Sequence, residues 1–533
     1  MNKMKHAGKA VLAATMAMTM LAACGDGGSS KEQPSGSPGA SSGAASPSAS
    51  AGPKKEISVS MFDRGTVATD EGTYESNRWT KWINEKAPVN VKWVPVTRNQ
   101  AQPKLNALIA SGEAPDLIWE YDRNYISQLA NQGAIQPIGD YIEKYSTTYK
   151  AYLEKHPELK PYLNFNGQVY AISFARETVA NHGMWIRQDW LDKLGLKAPT
   201  TVEELIEVAR KFKDADPDGN GKPDTVPIAL SNASSSIYRS LFFTSENQWY
   251  VEDGKLKFGR TLDRYADSLA FQKQLFDEGL IDKEYITDTN FQRSTQLLTT
   301  GKAGIYLGNW DIEAQYRELV KNDPKAQMVP LESVSSKYGK SGLYQEAPPS
   351  IFTAFNSKMK EEQIKSAIQF IDWMLKDGWV TLKYGEENVH FKMVDGVRQK
   401  TDQEKIKKEL AYALEYPIVM DSVLKPEQFP AMAAKDEISQ TYAKLRGTSL
   451  ELALKNKYRR DIPFSPDFPE LTQLIATFNP IAQQIEAKVI TGGKSMSPEE
   501  GMNELRKEWK RLGGDNVEKL AQEWYDKNKS NLK

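Results

Sequence analysis

Between Ile57 and Trp119 the apolar pattern alternates between strand and helix periods, and this alternation constrains the fold more than any other feature. Ile57–Phe62 alternates apolar and polar residues, Trp79–Glu85 has helical spacing, and Val89–Val96 alternates again. Gln100–Ala110 then sets Leu105, Leu108 and Ile109 at helical spacing, Gly112 is a helix stop, and Leu117-Ile118-Trp119 reads as a buried strand. Strand, helix, strand, helix, strand in that order predicts an α/β domain with a largely parallel sheet. Beyond the amino-terminal region, a chain of about 480 residues is too long for one core and calls for two or three domains.

Further along, Val169–Ile172 and Gly183–Arg187 read as extended segments. At Pro199–Glu204 a helix is expected to start, with Thr201 as cap and Glu204 completing a capping box. Tyr344–Phe355 is expected to be extended and Glu361–Lys376 helical, with Ile364, Ala367, Ile368, Ile371 and Leu375 as one stripe. Pro498–Leu512 and Val517–Lys527 also have a helical pattern. Trp82, Trp93, Trp373 and Trp509 sit within apolar stripes and are expected to pack cores. No repeat of fixed period is seen.

The amino terminus has its own logic. Lys3, Lys5 and Lys9 precede an apolar run, Ala10–Ala23, that is too short to stay in a bilayer and fits a signal-peptide core. Cys24, the one cysteine in the sequence, closes Leu21-Ala22-Ala23-Cys24. Residues 25–53 are almost all Gly, Ser, Ala and Pro, a composition that cannot offset ordering entropy. As a flexible coil this stretch spans roughly 30 Å, and fully extended about 90–100 Å. No later run is apolar enough to cross a bilayer. A formal net charge of −1 gives no reason to expect nucleic acid as a partner.

The run L-A-A-C resembles the lipobox of bacterial lipoproteins, which implies cleavage before Cys24 and lipidation of its thiol. Lys104–Asp116 (KLNALIASGEAPD), Trp185–Thr201, and Phe355–Lys360 with the helix after it are similar to the extracellular solute-binding proteins of ABC importers. Tyr384–Phe391 departs mildly from that family's pattern at Asn388 and Phe391. The resemblance is nearest to the large oligosaccharide-binding lipoproteins of Gram-positive bacteria. It implies a two-lobed periplasmic-binding-protein-like fold (type II) with a hinge. Residues 1–23 would be the signal peptide and 24–54 the tether. Lobe one would take 55–175 plus 345–378, and lobe two 180–340 plus 379–533. The implied function is delivery of an oligosaccharide to an ABC permease by hinge closure. The protein would be a monomer, held at the extracellular face of the membrane by lipid alone. Two alternatives stay open: a receptor for peptide or another small solute, and a surface adhesin or sensor-accessory protein.

The clearest chemical motif runs from Asp214 to Asp224. Asp216, Asp218 and Asn220 alternate, Gly221 permits a sharp turn, and Asp224 follows, matching positions 1, 3, 5, 6 and 9 of a calcium loop. The Lys222 carbonyl falls at position 7. Position 12 is Pro227, so this is not an EF-hand. Related binding proteins carry an EF-hand-like loop closed by an acidic residue next after position 9, but here Thr225 stands there. A structural Ca2+ is therefore expected, with an ordinary Asp/Asn/Gly turn as the alternative.

A sugar site combines aromatic platforms with polar partners for hydroxyls. The candidates are Trp119, Tyr121, Trp249, Trp310 and Tyr344, with Asp63, Arg64, Arg176, Asp311, Glu346 and His390. Asp63, Arg64, Trp119 and Trp310 fall at strand carboxyl ends, where α/β domains bind ligands. Arg64, Arg123, Arg176 and Arg187 leave room for an acidic glycan. No G-x-S-x-G, H-E-x-x-H or P-loop occurs, and Glu386-Glu387 alone does not make a glycosidase dyad. An enzyme is not expected.

Overall fold

The computed structural model describes residues 53–530 and Leu532, apart from Asn166 and Asp395. The expectations for the signal peptide, for Cys24 and for the tether as far as Gly52 lie outside the described residues. The described chain belongs to one compact unit, Pro53–Lys533.

The chain runs through β1 (Glu56–Asp63), α1 (Arg78–Lys86), β2 (Asn90–Thr97), α2 (Ala101–Ser111), β3 (Leu117–Glu120), α3 (Arg123–Asn131) and β4 (Ala171–Ile172). It crosses to β5 (His182–Arg187), α4 (Val202–Asp214), β6 (Ile228–Leu230), α5 (Ser235–Leu241), β7 (Ile305–Asn309) and β8 (Met328–Leu331). It returns through β9 (Phe352–Phe355) and α6 (Glu361–Trp373). It ends in α7 (Glu437–Lys455), α8 (Pro469–Thr491), α9 (Pro498–Arg511) and α10 (Gly514–Asn528).

Local chemistry accounts for several boundaries. The Asn77 side chain accepts from the Trp79 and Thr80 N–H groups and starts α1. Gly112, at φ 80°, ends α2 in the left-handed region. Thr201 caps α4 as expected, accepting from the Glu204 N–H at 3.1 Å. Glu204 does not close the expected box: it reaches one residue further back, to the Thr200 N–H at 2.7 Å and the Thr200 hydroxyl at 2.7 Å.

The first sheet has the order β2-β1-β3-β9-β4, the second β8-β5-β7-β6. β2, β1 and β3 are parallel, as the alternation predicts, but β9 is antiparallel to β3 and β4. In the second sheet β7 is parallel to β6 and antiparallel to β5, which is antiparallel to β8. The expectation of a largely parallel sheet holds: β2, β1, β3 and β4 run the same way and only β9 is reversed, as only β5 is in the second sheet. The exceptions have one cause. β9 and β5 each begin next to a crossing, so Phe352 pairs with Glu120 and His182 with Asn309, both late residues of their strands. A strand that enters a sheet at that end must run against its neighbours.

Each sheet has its own apolar core. One gathers residues from Ile57 to Ala175 and from Ile351 to Leu382; the other runs from Met184 to Leu343 and takes α8, α9 and α10 as cover. Placing everything after 378 in lobe two needs correction. Leu382, Leu410, Tyr412, Tyr416, Ile418 and Val419 are buried in the first core. Tyr416 packs edge-on to Trp93 at 4.9 Å, and the Trp79 indole donates to the Glu409 carbonyl at 2.6 Å. Trp82, Trp93, Trp373 and Trp509 all pack against the cores, as expected.

Two crossings pair with each other as a short antiparallel ribbon. Ser350 N–H donates to the Phe174 carbonyl at 2.8 Å, Arg176 N–H to Pro348 at 2.9 Å and Glu346 N–H to Val179 at 2.8 Å. A third crossing joins this ribbon where Leu424 N–H donates to the Glu177 carbonyl at 2.9 Å. Lys383 ties the same point together, bonding both the Glu177 carboxylate and the Ser422 hydroxyl.

Candidate functional site

The carboxyl ends of β1 and β3 gather one polar, aromatic set, and the crossing ribbon gathers another. Phe62 and Tyr121 stack at 5.6 Å and 10°, and the Arg98 guanidinium lies 4.5 Å from the Phe62 ring centre and 4.8 Å from that of Tyr121. Arg64 pairs with Glu415 at 2.8 Å and reaches the Tyr121 hydroxyl at 3.5 Å. Burial pushes the Glu415 carboxyl up, against the pull of Arg64. Asp63 accepts from the Gly65 N–H at 2.8 Å. Arg64 and Tyr121 are thus in contact, with Asp63 next to Arg64 in the chain. Phe62, Arg98 and Glu415 complete the group, and only Phe62, in a legible strand, carried a signal.

At the ribbon, Glu346 accepts from the Asn181 side-chain amide at 2.8 Å and from the Tyr344 hydroxyl at 3.5 Å, and lies 3.9 Å from Arg176. Arg176 is held in place by its Nε donating to the Ala347 carbonyl at 3.1 Å. Tyr344 stands between His182 and Tyr458, with ring centres 5.7 and 5.4 Å away. A cavity of about 220 Å3 opens here, lined by Gln248, Tyr344, Arg460 and Phe464 among others. His182, which the sequence reading passed over, bonds the Ser236 hydroxyl at 2.6 Å. Burial pushes its pKa down to about 4, so it is a neutral imidazole.

The other candidates are placed differently. Trp119 is buried in the first core. Trp249 lies in the second core against Phe258 at 5.4 Å and is one of the residues lining the 220 Å3 cavity. Trp310 is 8 % exposed, covered by Phe429 and by Leu450 of α7, so it is no open platform. Its backbone passes so close to Gly183 that a Cβ there would fall 2.6 Å from the Trp310 Cα. Asp311 is engaged by Arg446 at 2.7 Å and the Tyr442 hydroxyl at 2.7 Å. His390 is buried beside Trp79, 3.3 Å from Glu409, and belongs to the first core's margin. Arg187 is buried between Asp189 at 2.6 Å and Asp323 at 2.8 Å. Of these, Trp310 follows a strand end and is packed over by a later segment.

A larger cavity, about 490 Å3, lies between the lobes and is lined by Arg123, Asn164 and Phe165 on one side and Phe464, Asp467 and Trp524 on the other. Phe464 had escaped notice because it sits in an irregular stretch between Pro463 and Pro466, with no period around it.

The Asp216–Asp224 loop is tightly turned, with Asp216 at φ 45°. The Asn220 amide donates to Asp218 at 2.7 Å and to Asp224 at 3.0 Å, and Gly221 N–H donates to Asp216 at 2.9 Å. Burial and the neighbouring Asp216 push the Asp218 carboxyl up, whereas hydrogen bonds from Asp218 and Gly221 hold Asp216 down. Asp216 Oδ1 and Thr225 Oγ1 are shielded from solvent and have no hydrogen-bond partner. This oxygen-rich set fits a hard cation in kind. Lys302, however, takes Asp224 at 2.8 Å, and among the described residues no three His, Cys, Asp or Glu side chains are gathered into a metal-binding group.

Among the described residues no helix is long and apolar enough to cross a membrane. The family model described as bacterial extracellular solute-binding protein matches residues 71–381, more than half of the chain. Lipoprotein LipO of Bacillus subtilis is 30% identical over 338 residues, 61% of this chain and 65% of that protein. The polygalacturonan/rhamnogalacturonan-binding protein YtcQ of the same organism is 27% identical over 57% of this chain and 61% of its own length. The matches thus span somewhat under two thirds of these relatives. The structure of the S. pneumoniae ABC-transporter substrate binding protein FusA in complex with kestose superposes with TM-score 0.65 at 19% identity, over 90% of this chain and 100% of that one. That likeness establishes the two-lobed α/β fold. The chain belongs to the family of bacterial extracellular solute-binding proteins.

Proposed function

We propose that the protein is a receptor that closes on an oligosaccharide and presents it to an ABC permease. The observation that carries this reading is the ribbon between the lobes. Tyr344, Glu346, Arg176 and Asn181 converge there, and Phe62 and Tyr121 form a stacked aromatic pair at strand ends of the first lobe. Flat rings suit the C–H faces of sugars, and the carboxylate, guanidinium and amide suit hydroxyls. A ligand touching both lobes favours the closed form by its differential affinity and needs no chemical step. The names of YtcQ and FusA point the same way. Lipidation at Cys24 would keep the receptor near its permease at high effective concentration.

The loop residues Asp216, Asp218, Asn220 and Asp224, with the Lys222 carbonyl, would hold a structural Ca2+, which would supply positive charge to the crowded carboxylates.

The test is a thermal-shift screen of the protein against neutral fructans, galacturonans and peptides. A shift with at least one saccharide and none with peptides is expected. A peptide-only response would sink the reading.

A further inference from the structure

We propose that Arg123 and Phe464 form a clasp that holds the two lobes closed and sets how often the empty receptor opens. This rests on the hinge-closing reading above.

Arg123 opens α3 in the first lobe and is fixed within that lobe. Its Nε donates to the Tyr162 carbonyl at 3.0 Å and its Nη2 to the Asn164 carbonyl at 2.6 Å. Held in that plane, the guanidinium stacks on Phe165 of its own lobe at 4.3 Å. Across the lobe boundary it meets Phe464 of the second lobe, whose ring centre lies 3.6 Å away, and it is attracted by Asp467. Phe464 also meets the Tyr162 ring at 5.6 Å and, on its own side, the Trp524 ring of α10 edge-on at 6.0 Å. Arg123, Phe165, Phe464 and Trp524 of this group line the 490 Å3 cavity between the lobes from both sides.

The division of bonds across the interface gives the clasp its character. Both hydrogen bonds of Arg123 stay inside lobe one, so separating the lobes leaves neither donor without its acceptor. What separation removes is one cation–π contact with the aromatic contact around it, the attraction between Arg123 and Asp467, and the hydrogen bond of Arg460 to Tyr162. The contact is therefore strong enough to bias the closed form and too weak to lock it. A receptor whose ligand must shift the population needs that balance. A lysine cannot replace Arg123 here, because the stacking needs a planar group with two fixed donors.

The experiment uses the chain with Cys24→Ser, which leaves no native thiol. Lys81→Cys and Lys211→Cys, at exposed positions of α1 and α4, carry the dyes for single-molecule energy transfer between the lobes. In ligand-free protein, Phe464→Ala and Arg123→Lys should each raise the open-to-closed ratio by about two- to thirtyfold. Phe464→Tyr, which keeps the ring, should leave the ratio near that of the parent. Melting temperatures and circular dichroism identify any variant that fails to fold, and Arg123→Lys decides the matter if Phe464→Ala does. Two populations that ignore both substitutions overturn the clasp and leave hinge closure standing. A single narrow population in every variant overturns hinge closure as well.

Discussion

His182 couples the crossing ribbon to pH. An unfolded histidine titrates near 6.5, whereas burial in the native state pushes His182 down to about 4. Between these values the unfolded chain binds a proton that the native protein refuses. Stability from this group is complete above about pH 6.5 and is lost as the pH falls toward 4, by about 3 kcal/mol. Urea unfolding between pH 7 and pH 4.5 should show that loss in the parent and a shallower slope in His182→Gln. Equal slopes would mean that His182 is protonated as readily in the folded protein as in the unfolded one. The same neutral imidazole, bonded to Ser236 and beside Tyr344, is suited to a hydroxyl and unsuited to holding an anion by charge.

At the scale of elements, the Asp216–Asp224 loop makes the sharpest prediction. Asp216 and Asp218 share a crowded site, and two shielded oxygens there have no hydrogen-bond partner. A bound Ca2+ would relieve both problems, so chelator should lower the melting temperature by several degrees, and excess Ca2+ should restore it. Asp218→Asn should remove most of that difference; a melting curve indifferent to chelator would reduce the loop to a turn. Elements were legible in the sequence where a local cause makes them. The β1 to β3 alternation, the Thr201 cap and the Gly112 stop are all local. The direction of β9 was hidden, because it depends on where the crossing enters the sheet. The burial of Leu410–Val419 was hidden too, because short irregular turns carry no period. At the site, Asp63, Arg64, Tyr121, Tyr344 and Glu346 were legible as polar or aromatic residues near strand ends and crossings. Trp310 was misread because its cover, α7, begins more than a hundred residues later. Phe464 was missed because its irregular stretch carries no period and Arg123, against which it packs, lies in the other lobe.

At the scale of the molecule, the two cores are joined by three crossings and by the 460–467 segment, where Arg460 meets Tyr162 and both Phe464 and Asp467 meet Arg123. Trp509 allows that coupling to be measured. It lies on α9, stacked on Phe258 at 4.5 Å and 5°, with Phe478 of α8 edge-on at 5.1 Å. It therefore fastens the carboxyl-terminal helices to the second core and touches nothing in the first. Replacing such a residue by alanine leaves a cavity and costs about 3–5 kcal/mol. If each lobe unfolds largely on its own, Trp509→Ala should split the calorimetric transition: the second lobe should melt early while the first keeps its parental midpoint. Hydrogen exchange should locate the change, with amides of β5, β7 and α8 losing protection while those of β1 and β2 keep it. A single transition, lowered for both sheets together, would show that the crossings couple the lobes strongly. Opening would then have to strain the ribbon itself, and closure could not be set by a contact as weak as one arginine on one ring.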